Sequence, residues 1–396
     1  MSDTEPTEDL DVSDLARHMG VPMMPGELKE PVTVGDIRRW VQAMHYPNPL
    51  HYDEKYAAES RFGKIIAPQS FTVATDTSHG CAPAQVGRIP NSHLVFGGDE
   101  WWFFEGRLEP GDKVLCHRMP YDYKVSNTSF AGPTCFQRGD TVYISSRGER
   151  IALQRSTAIR YQVRQAKEKK SFEDREKAGE PEWTREDLEK LDEIKAQFIA
   201  QVQELGHDKR LLESVQAGDE LAPNALGPHS IASFTTEWRA YPMTTWGAMA
   251  KGPTSVRGEE LGYTKDFAGH EGDRNLERTD PERTDGAYYG PSRGHLQPQW
   301  AREVGMPRGY GYGASMGAWV LDYVAAWGGE WAKITHAEVK YRNPALTGDA
   351  SFISGTVTGV REERRRVHVA DVDVVITNQD DAVQAKGSVS IQLPID

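Results

Sequence analysis

The chain has 396 residues, 38% of them hydrophobic, and its 46 basic and 59 acidic side chains give a net charge of −13. That length exceeds one ordinary domain and supplies enough apolar surface for two cores, so we expect two domains. The one arginine-rich stretch, residues 361–366, is diluted by glutamates, which disfavours a nucleic-acid partner. Three cysteines without metal or redox spacing predict free thiols in a reducing compartment.

Residues 1–30 are predicted to be an acidic leader with a short helical piece around residues 15–19. The leader lacks the basic and then apolar order of a secretory signal, and no stretch of the chain approaches the ~20 apolar residues that span a bilayer. We therefore expect a cytoplasmic protein with no membrane partner.

Residues 31–163 are predicted to form an α+β domain, in which helices precede an antiparallel meander. The apolar positions recur at helical spacing first, and the period then changes to two. Helices are predicted over residues 37–44, 53–60 and 69–77, and strands over residues 95–105, 113–127, 140–147 and 151–161. Residues 164–212 are predicted to be a charged connector that contains one amphipathic helix, at 184–205.

Residues 213–396 repeat the order of the first half, which indicates an internal duplication. His51-Tyr-Asp-Glu-Lys-Tyr-Ala-Ala matches His295-Leu-Gln-Pro-Gln-Trp-Ala-Arg, and each segment leads to a Gly/Pro-bearing turn and an apolar helix. The turn Pro110-Gly111-Asp112 is echoed by Thr347-Gly348-Asp349. The second half differs by an insert at 251–293, which is too long for a plain connection and is predicted to be a lid or a poorly ordered loop.

The segment Asn48-Pro49-Leu50-His51-Tyr52-Asp53, followed by residues 60–68, resembles the MaoC-like dehydratases of the hot-dog fold. The first half looks most like the fatty-acid-synthase-type dehydratase N-terminal domain, through Gly97-Gly98-Asp99-Glu100-Trp101. The second half is similar to a further MaoC-like domain, through residues 295–305, 310–313, 327–329 and 342–344 with Gly348-Asp349. The resemblance implies a tandem double hot-dog, with an antiparallel sheet wrapped around a central helix in each half and the acyl chain between the halves.

Members of that family hydrate 2-enoyl thioesters or dehydrate (R)-3-hydroxyacyl thioesters, so the resemblance implies a hydro-lyase acting on an acyl-CoA. Coenzyme A would enter as part of the substrate, with no separate cofactor. Removing a proton beside a thioester carbonyl builds charge on the carbonyl oxygen, which backbone N–H donors at a helix N-terminus stabilise. Histidine, which titrates near neutral pH, can move the proton.

The family motif pairs its histidine with an aspartate five residues earlier, and neither half keeps that carboxylate. Tyr46 stands at that position before His51, and Gly290 stands there before His295. In the first half, Pro68 aligns with the glycine that opens the helix and has no N–H to donate. We therefore place the chemistry in the second half, where Tyr310-Gly311-Tyr312-Gly313-Ala314 offers free N–H groups.

The predicted catalytic residues are His295 as general acid and base, Tyr310, and Gly313 with Ala314 as oxyanion donors. Glu237 or Asp285 is a candidate for the missing carboxylate. Aromatic residues that include Trp238, Tyr241, Trp246 and Trp319 would suit a bulky acyl group. The predicted substrate-binding residues are His51, Tyr46, Asn48, Tyr312 and Trp319. Each histidine also suits a structural loop position, and Tyr310 and Tyr312 also suit core packing.

Two other functions remain open. The chain could be a non-catalytic acyl-CoA-binding or partner subunit of a dehydratase, because the motif aspartates are missing. A thioesterase would need a carboxylate on the central helix, where only Asp76 is available in the first half. The twelve histidines show no paired ligand spacing, so no metal site is predicted. A fused pair can act alone or form a homodimer through its sheet edges.

Overall fold

A computed structural model describes residues 10–28, 30–76, 78–171, 179–241, 295, 298–303, 305–364 and 367–395. The predicted insert at 251–293, and with it Asp285 and Gly290, lies outside the described residues, as does Trp246.

The strands are β1 Gly26–Glu27, β2 Ser92–Phe103, β3 Val114–Thr128, β4 Gly132–Ser145, β5 Arg150–Gln162, β6 Glu220–Leu226, β7 Lys333–Tyr341, β8 Ser351–Arg364, β9 Val367–Thr377 and β10 Val383–Gln392. The α-helices are α1 Val34–Ala43, α2 Glu54–Glu59, α3 Val163–Glu168, α4 Arg185–Leu205, α5 Ile231–Arg239, α6 Pro298–Glu303 and α7 Gly313–Gly328. Short 3₁₀ helices lie at Ala16–His18, Pro49–His51, Gln69–Thr75, Ala82–Ala84 and Leu212–Ser214.

All the described strands belong to one antiparallel sheet in the order β1-β3-β4-β5-β2-β7-β10-β9-β8-β6. Strands β2 and β7 form the central pair. Counted outward from that pair, the strands of the second half follow the same order as their counterparts in the first half. The register of β2 and β7 is itself symmetric, because Glu100 lies opposite Glu338, Gly98 opposite Lys340 and Trp102 opposite His336. The two sheets expected from the sequence are thus joined edge to edge, and the duplication is a pseudo-dimer with one continuous sheet.

The helix α7 is the central helix of the second half and packs against β7, β10, β2 and β8. It is buried on nearly all sides, with Val320 fully buried and Trp319 at 2% exposure. Gly387 on β10 permits the close approach, since a Cβ there would lie 2.7 Å from Val320 Cγ1. The core of the molecule is therefore organised around α7.

The central helix of the first half is much shorter. The sequence predicted a buried helix over 69–77, and the structure has a 3₁₀ helix at Gln69–Thr75 whose residues are all buried. It packs directly against α7. The two halves thus share one topology but differ in their central helices.

The segments outside the two repeats contribute to the core as well. Gly26 of β1 lies in the predicted leader and pairs with Cys116 of β3, and Leu15 is fully buried in a cluster with Ile89 and Cys135. The predicted connector helix is present as α4, which packs on β6. All three cysteines are free and buried. Within the described part of the chain, no helix has the length and apolar character needed to cross a membrane.

Replacing Thr33 by alanine should cost about 1 kcal/mol of the free energy of unfolding, since it removes a helix N-cap. The Thr33 hydroxyl accepts the Asp36 N–H at 3.1 Å, and the Asp36 carboxylate accepts the Thr33 N–H at 2.9 Å, which is a reciprocal capping box at the start of α1. Chemical denaturation of the two proteins measures the difference. Thr33→Ser keeps the acceptor oxygen and should retain most of the stability.

Candidate functional site

The two histidines found by sequence occupy equivalent places in the two halves. His51 Nδ1 lies 2.8 Å from the carbonyl oxygen of Ile66, and His295 Nδ1 lies 2.9 Å from the carbonyl oxygen of Tyr310. In both halves the carbonyl belongs to the residue 15 positions later. The central helix then starts three residues after that carbonyl, at Gln69 in the first half and at Gly313 in the second.

This hydrogen bond determines which nitrogen of each histidine can act as a base. A carbonyl oxygen only accepts, so Nδ1 must carry the proton. In the neutral ring the lone pair is then on Nε2. Burial lowers the pKa of His295 to about 4, so its ring is neutral at pH 7 and Nε2 is available to accept a proton.

The N-terminus of α7 provides free backbone donors beside His295. The Ser315 and Met316 N–H groups both donate to the carbonyl oxygen of Tyr312, which is the N-cap residue. The Gly313 and Ala314 N–H groups have no partner among the described residues. Unpaired first-turn N–H groups attract a developing negative charge, and the helix dipole adds to that attraction.

A cavity of about 710 Å³ opens at this point between the two halves. The second half contributes His295, Tyr310, Tyr312, Gly313 and Ala314 to its wall, so five predicted residues lie together. The first half contributes a largely apolar wall from β2, β4 and β5, which includes Phe96, Phe136 and Ile159. The site is therefore built by both halves.

Aromatic contacts fix the orientation of the His295 ring. It lies between Tyr310, at a centroid distance of 4.0 Å, and Tyr312, at 4.3 Å with the planes 16° apart. A Cβ on Gly313 would lie 3.0 Å from Phe96 Cβ and 3.1 Å from the Tyr341 ring. The absence of a side chain at Gly313 thus leaves room at this junction for a substrate to reach the backbone.

Tyr341 also connects the cavity wall to a buried carboxyl group. Its hydroxyl donates to Asp99 Oδ2 at 2.9 Å, and Asp99 Oδ1 accepts from Gln154 at 2.7 Å and Ser156 at 2.8 Å. Burial raises the pKa of Asp99 to about 6 although these three donors lower it. Sequence reasoning missed Tyr341 as a wall residue because strand alternation does not show which face borders a cavity, and it missed His79 because a residue in a turn shows no pattern at all.

The equivalent place in the first half is closed. The cavity beside His51 has a volume of about 20 Å³, and the Gln69 side chain fills the position that Gly313 leaves open. Gln69 Nε2 donates to the carbonyl oxygen of Ile334, and the Ile334 N–H donates to Gln69 Oε1, both at 2.9 Å. This first-half site has no room for an acyl thioester.

The starts of the two central helices show that Pro68 does not have the role predicted for it. Pro68 is the N-cap of its helix and corresponds to Tyr312, so it does not stand at the donor position. The donor position belongs to Gln69, which keeps its N–H. The first half is blocked by a side chain rather than by the loss of a donor.

Four predicted substrate-binding residues lie away from the large cavity. His51, Tyr46 and Asn48 surround the closed first-half site, where Asn48 Nδ2 donates to the Tyr46 hydroxyl at 3.2 Å. Trp319 is buried on α7 and stacks on His229 at 5.5 Å. Only Tyr312 of that group borders the cavity.

Glu237, one candidate for the missing carboxylate, is engaged elsewhere. It is 1% exposed and forms a hydrogen bond with Ser315, and burial raises its pKa to about 8. Tyr241, whose hydroxyl lies 3.1 Å from Ser315 Oγ, belongs to the same group behind the N-terminus of α7. Glu237 is thus neutral at pH 7 and supports the helix. Within the described ranges no cluster of side chains could hold a metal ion.

The pH dependence of the site should reflect the low pKa of His295. Because burial lowers that pKa to about 4, the base form is present at all higher pH values and is lost only as pH falls through about 4. For any thioester that the protein converts, we expect kcat/KM to fall on the acid side only below pH 5. An acid limb near the ordinary pKa of histidine, about 6.5, would contradict this assignment.

Solved structures of known proteins share the fold of this chain. The chain shares its fold with a solved MaoC-like dehydratase, at a TM-score of 0.58 and 14% identity, with 96% of this chain and all of that chain covered. A Mycobacterium tuberculosis protein described as a double hotdog matches at a TM-score of 0.52 and 10% identity, over 95% of this chain and 96% of that one. The molecule is a double hot-dog protein.

In sequence, part of the chain is similar to dehydratase and hydratase proteins. Residues 17–154 match the family model of the FAS1-like dehydratase domain region. A probable enoyl-CoA hydratase alpha subunit from Thermomonospora curvata is 28% identical over 155 residues, which are 35% of this chain and 48% of that protein. The matched segment thus spans about half of that relative. The chain is MaoC-like in fold, and its first half is similar to the FAS1-like dehydratase domain region.

Proposed function

We propose that the chain is a hydro-lyase that adds water to a 2-enoyl-CoA thioester or removes it from a 3-hydroxyacyl-CoA thioester. One observation carries the proposal. The Nε2 atom of a tethered, neutral histidine and two unpaired backbone N–H groups border the same largely apolar cavity. These are the groups that proton transfer beside a thioester carbonyl requires.

In the dehydration direction, His295 Nε2 takes the proton from the carbon next to the carbonyl. The electron pair moves onto the thioester oxygen, where the Gly313 and Ala314 N–H groups stabilise it. When the enolate collapses, the C–O bond at the third carbon breaks and the leaving oxygen takes the proton from the imidazolium as water. Hydration follows the same steps in reverse. One base that serves both carbons makes the motif aspartate dispensable.

The size of the cavity supports a bulky acyl group. Its volume of about 710 Å³ lies within the ~300–1,000 Å³ of ligand pockets that enclose drug-sized molecules. Phe96, Phe136 and Ile159 border it and provide apolar contact for an acyl chain. A series of enoyl-CoA substrates from crotonyl-CoA to long and branched chains, followed by loss of the conjugated thioester absorbance, tests both the reaction and the acyl preference.

The second candidate is a non-catalytic acyl-CoA-binding or partner subunit. It is favoured by the absence of the motif aspartate in both halves and by the name of the curated relative, which is an alpha subunit. If no enoyl-CoA turns over while an acyl-CoA raises the thermal midpoint, as ligand linkage requires, this candidate replaces the first.

Thioester hydrolysis ranks lowest. Asp76 is fully buried and is held by the Arg118 guanidinium, the Ser78 hydroxyl and the Gly80 N–H. Its carboxylate is therefore not available to attack a carbonyl. Free thiol released from a saturated acyl-CoA would be the sign of hydrolysis.

The setting and assembly of the protein are part of this proposal. Three buried free cysteines and the acidic composition support a cytoplasmic enzyme. Both halves contribute to the cavity at His295, so the fused pair supplies in one chain the interface that separate hot-dog subunits would form. Light scattering distinguishes a monomer of the fused pair from a homodimer.

A further inference from the structure

A second, smaller cavity adjoins the site and leads toward the sheet surface. It has a volume of about 260 Å³ and lies over the seam where β2 meets β7. It shares Phe136, Ile159, Tyr341 and Arg342 with the larger cavity, so the two lie side by side. A long ligand with its reacting end at Gly313 can thus extend along this seam.

The charged side chains of the smaller cavity are nearly all paired. Glu100 lies 3.1 Å from His336, and Asp99 accepts hydrogen bonds from three side chains. The basic side chains with carboxylate partners are Arg138, paired with Asp122 at 2.5 Å, Arg155, paired with Asp140 at 2.7 Å, and Lys340, paired with Glu338 at 2.9 Å. These charges compensate one another and leave little attraction for a ligand.

Arg342 is the exception. It is exposed, it borders both cavities, and its side chain has no hydrogen bond or ion pair within the part of the chain that the structure describes. Its backbone is held in place, because the Arg342 and Asn343 N–H groups both donate to the carbonyl oxygen of Gln384, at 2.8 and 3.2 Å. The Arg342 side chain is thus an exposed cation beside a cavity, with no carboxylate partner among the described residues, in a chain with a net charge of −13.

We propose that Arg342 binds a phosphate of the nucleotide end of coenzyme A while the thioester lies at Gly313. The inference rests on the proposed function. A guanidinium donates two parallel hydrogen bonds to a phosphate, which makes arginine well suited to this contact. Arg342 borders the cavity that holds Gly313 and also the smaller cavity over the β2–β7 seam, so a ligand whose thioester lies at Gly313 and whose arm runs toward the seam passes this side chain. The pantetheine arm then occupies the space between Gly313 and Arg342.

The test compares two thioesters of one acyl group, crotonyl-CoA and crotonyl-N-acetylcysteamine. The second has no phosphate group and no nucleotide. For Arg342→Ala we expect the KM for crotonyl-CoA to rise about tenfold, as loss of one charge-assisted contact predicts, with kcat unchanged. The KM for the short thioester should not change. Arg185→Ala is the matched control, since Arg185 is 93% exposed on α4 and pairs only with Glu189 among the described residues.

A binding measurement separates this inference from the proposed function. Adenosine 3′,5′-bisphosphate carries the nucleotide end without a thioester, and its affinity by calorimetry should fall about tenfold in Arg342→Ala. If neither thioester turns over but this loss is seen, the reaction is wrong and the phosphate site stands. Equal KM increases for both thioesters, an unchanged KM for crotonyl-CoA, or an effect confined to a thioester on an acyl carrier protein would overturn the inference.

Discussion

Replacing His295 by asparagine should lower kcat for a hydrated enoyl-CoA by about 10²–10⁴-fold, the usual contribution of a positioned general base. The asparagine amide can still donate to the Tyr310 carbonyl oxygen that His295 Nδ1 contacts at 2.9 Å. The Nε2 lone pair is lost, together with the ring contacts to Tyr310 and Tyr312. The thermal midpoint of both proteins is therefore measured as well, and a loss of kcat at a temperature well below both midpoints is a catalytic effect rather than unfolding.

The same substitution at His51 provides a matched control within the chain. His51 makes the equivalent bond to Ile66, at 2.8 Å, but faces a cavity of only about 20 Å³. We expect His51→Asn to retain the activity of the parent protein. Should the two variants lose activity equally, or should His295→Asn remain active, the assignment of the base to the second half would be wrong.

The second large effect is expected at Gly313, where proline should reduce kcat by about 10²–10³-fold relative to alanine, as the loss of one oxyanion donor does. Proline is tolerated at the first position of a helix. The preceding Tyr312 has φ −87° and ψ 137°, an extended conformation that suits a residue before proline. The helix should therefore form, and the main chemical loss is the N–H.

Gly313→Ala is the reference for this comparison because it introduces the Cβ alone. That Cβ would lie 3.0 Å from Phe96 Cβ and 3.1 Å from the Tyr341 ring, so alanine should raise KM through crowding and keep the donor. Steady-state kinetics with crotonyl-CoA separates the two effects. Equal kcat values for the proline and alanine variants would show that the Gly313 N–H does not stabilise the oxyanion.

The repeat and the positions of most elements could be predicted from the sequence because they depend on local periodicity. Helix α4 spans Arg185–Leu205, against the predicted 184–205, and the four predicted strands of the first half are present with shifts at their ends. His295 was found because a histidine followed by a turn and an apolar helix occurs in both halves, and the Gly313 turn was found from its own glycines, residues 309–313. These are short-range signals.

The features that depend on how the halves meet were not predictable in this way. The Gln69 contacts to Ile334 join residues 265 positions apart, so the closure of the first-half site leaves no local pattern. Likewise, the cavity wall combines Phe96 with Tyr341 across the pseudo-dimer, and the joining of two sheets into one depends on the β2–β7 register. Long-range pairing of this kind is the step at which local propensity gives no information.

The β2–β7 pair also has a consequence for how the protein is made. Strand β2 ends at Phe103, whereas β7 begins at Lys333, so during synthesis the nascent N-terminal half carries an exposed sheet edge until β7 has also left the ribosome. Exposed edges recruit other strands and promote aggregation. On the exposed strand β2, Glu100 lies at the centre of the segment that will pair with β7, opposite the position that Glu338 will occupy. A charged residue there would repel a second nascent copy of the same strand, and the permanent partner accommodates the repulsion by pairing Glu100 with His336 and Glu338 with Lys340.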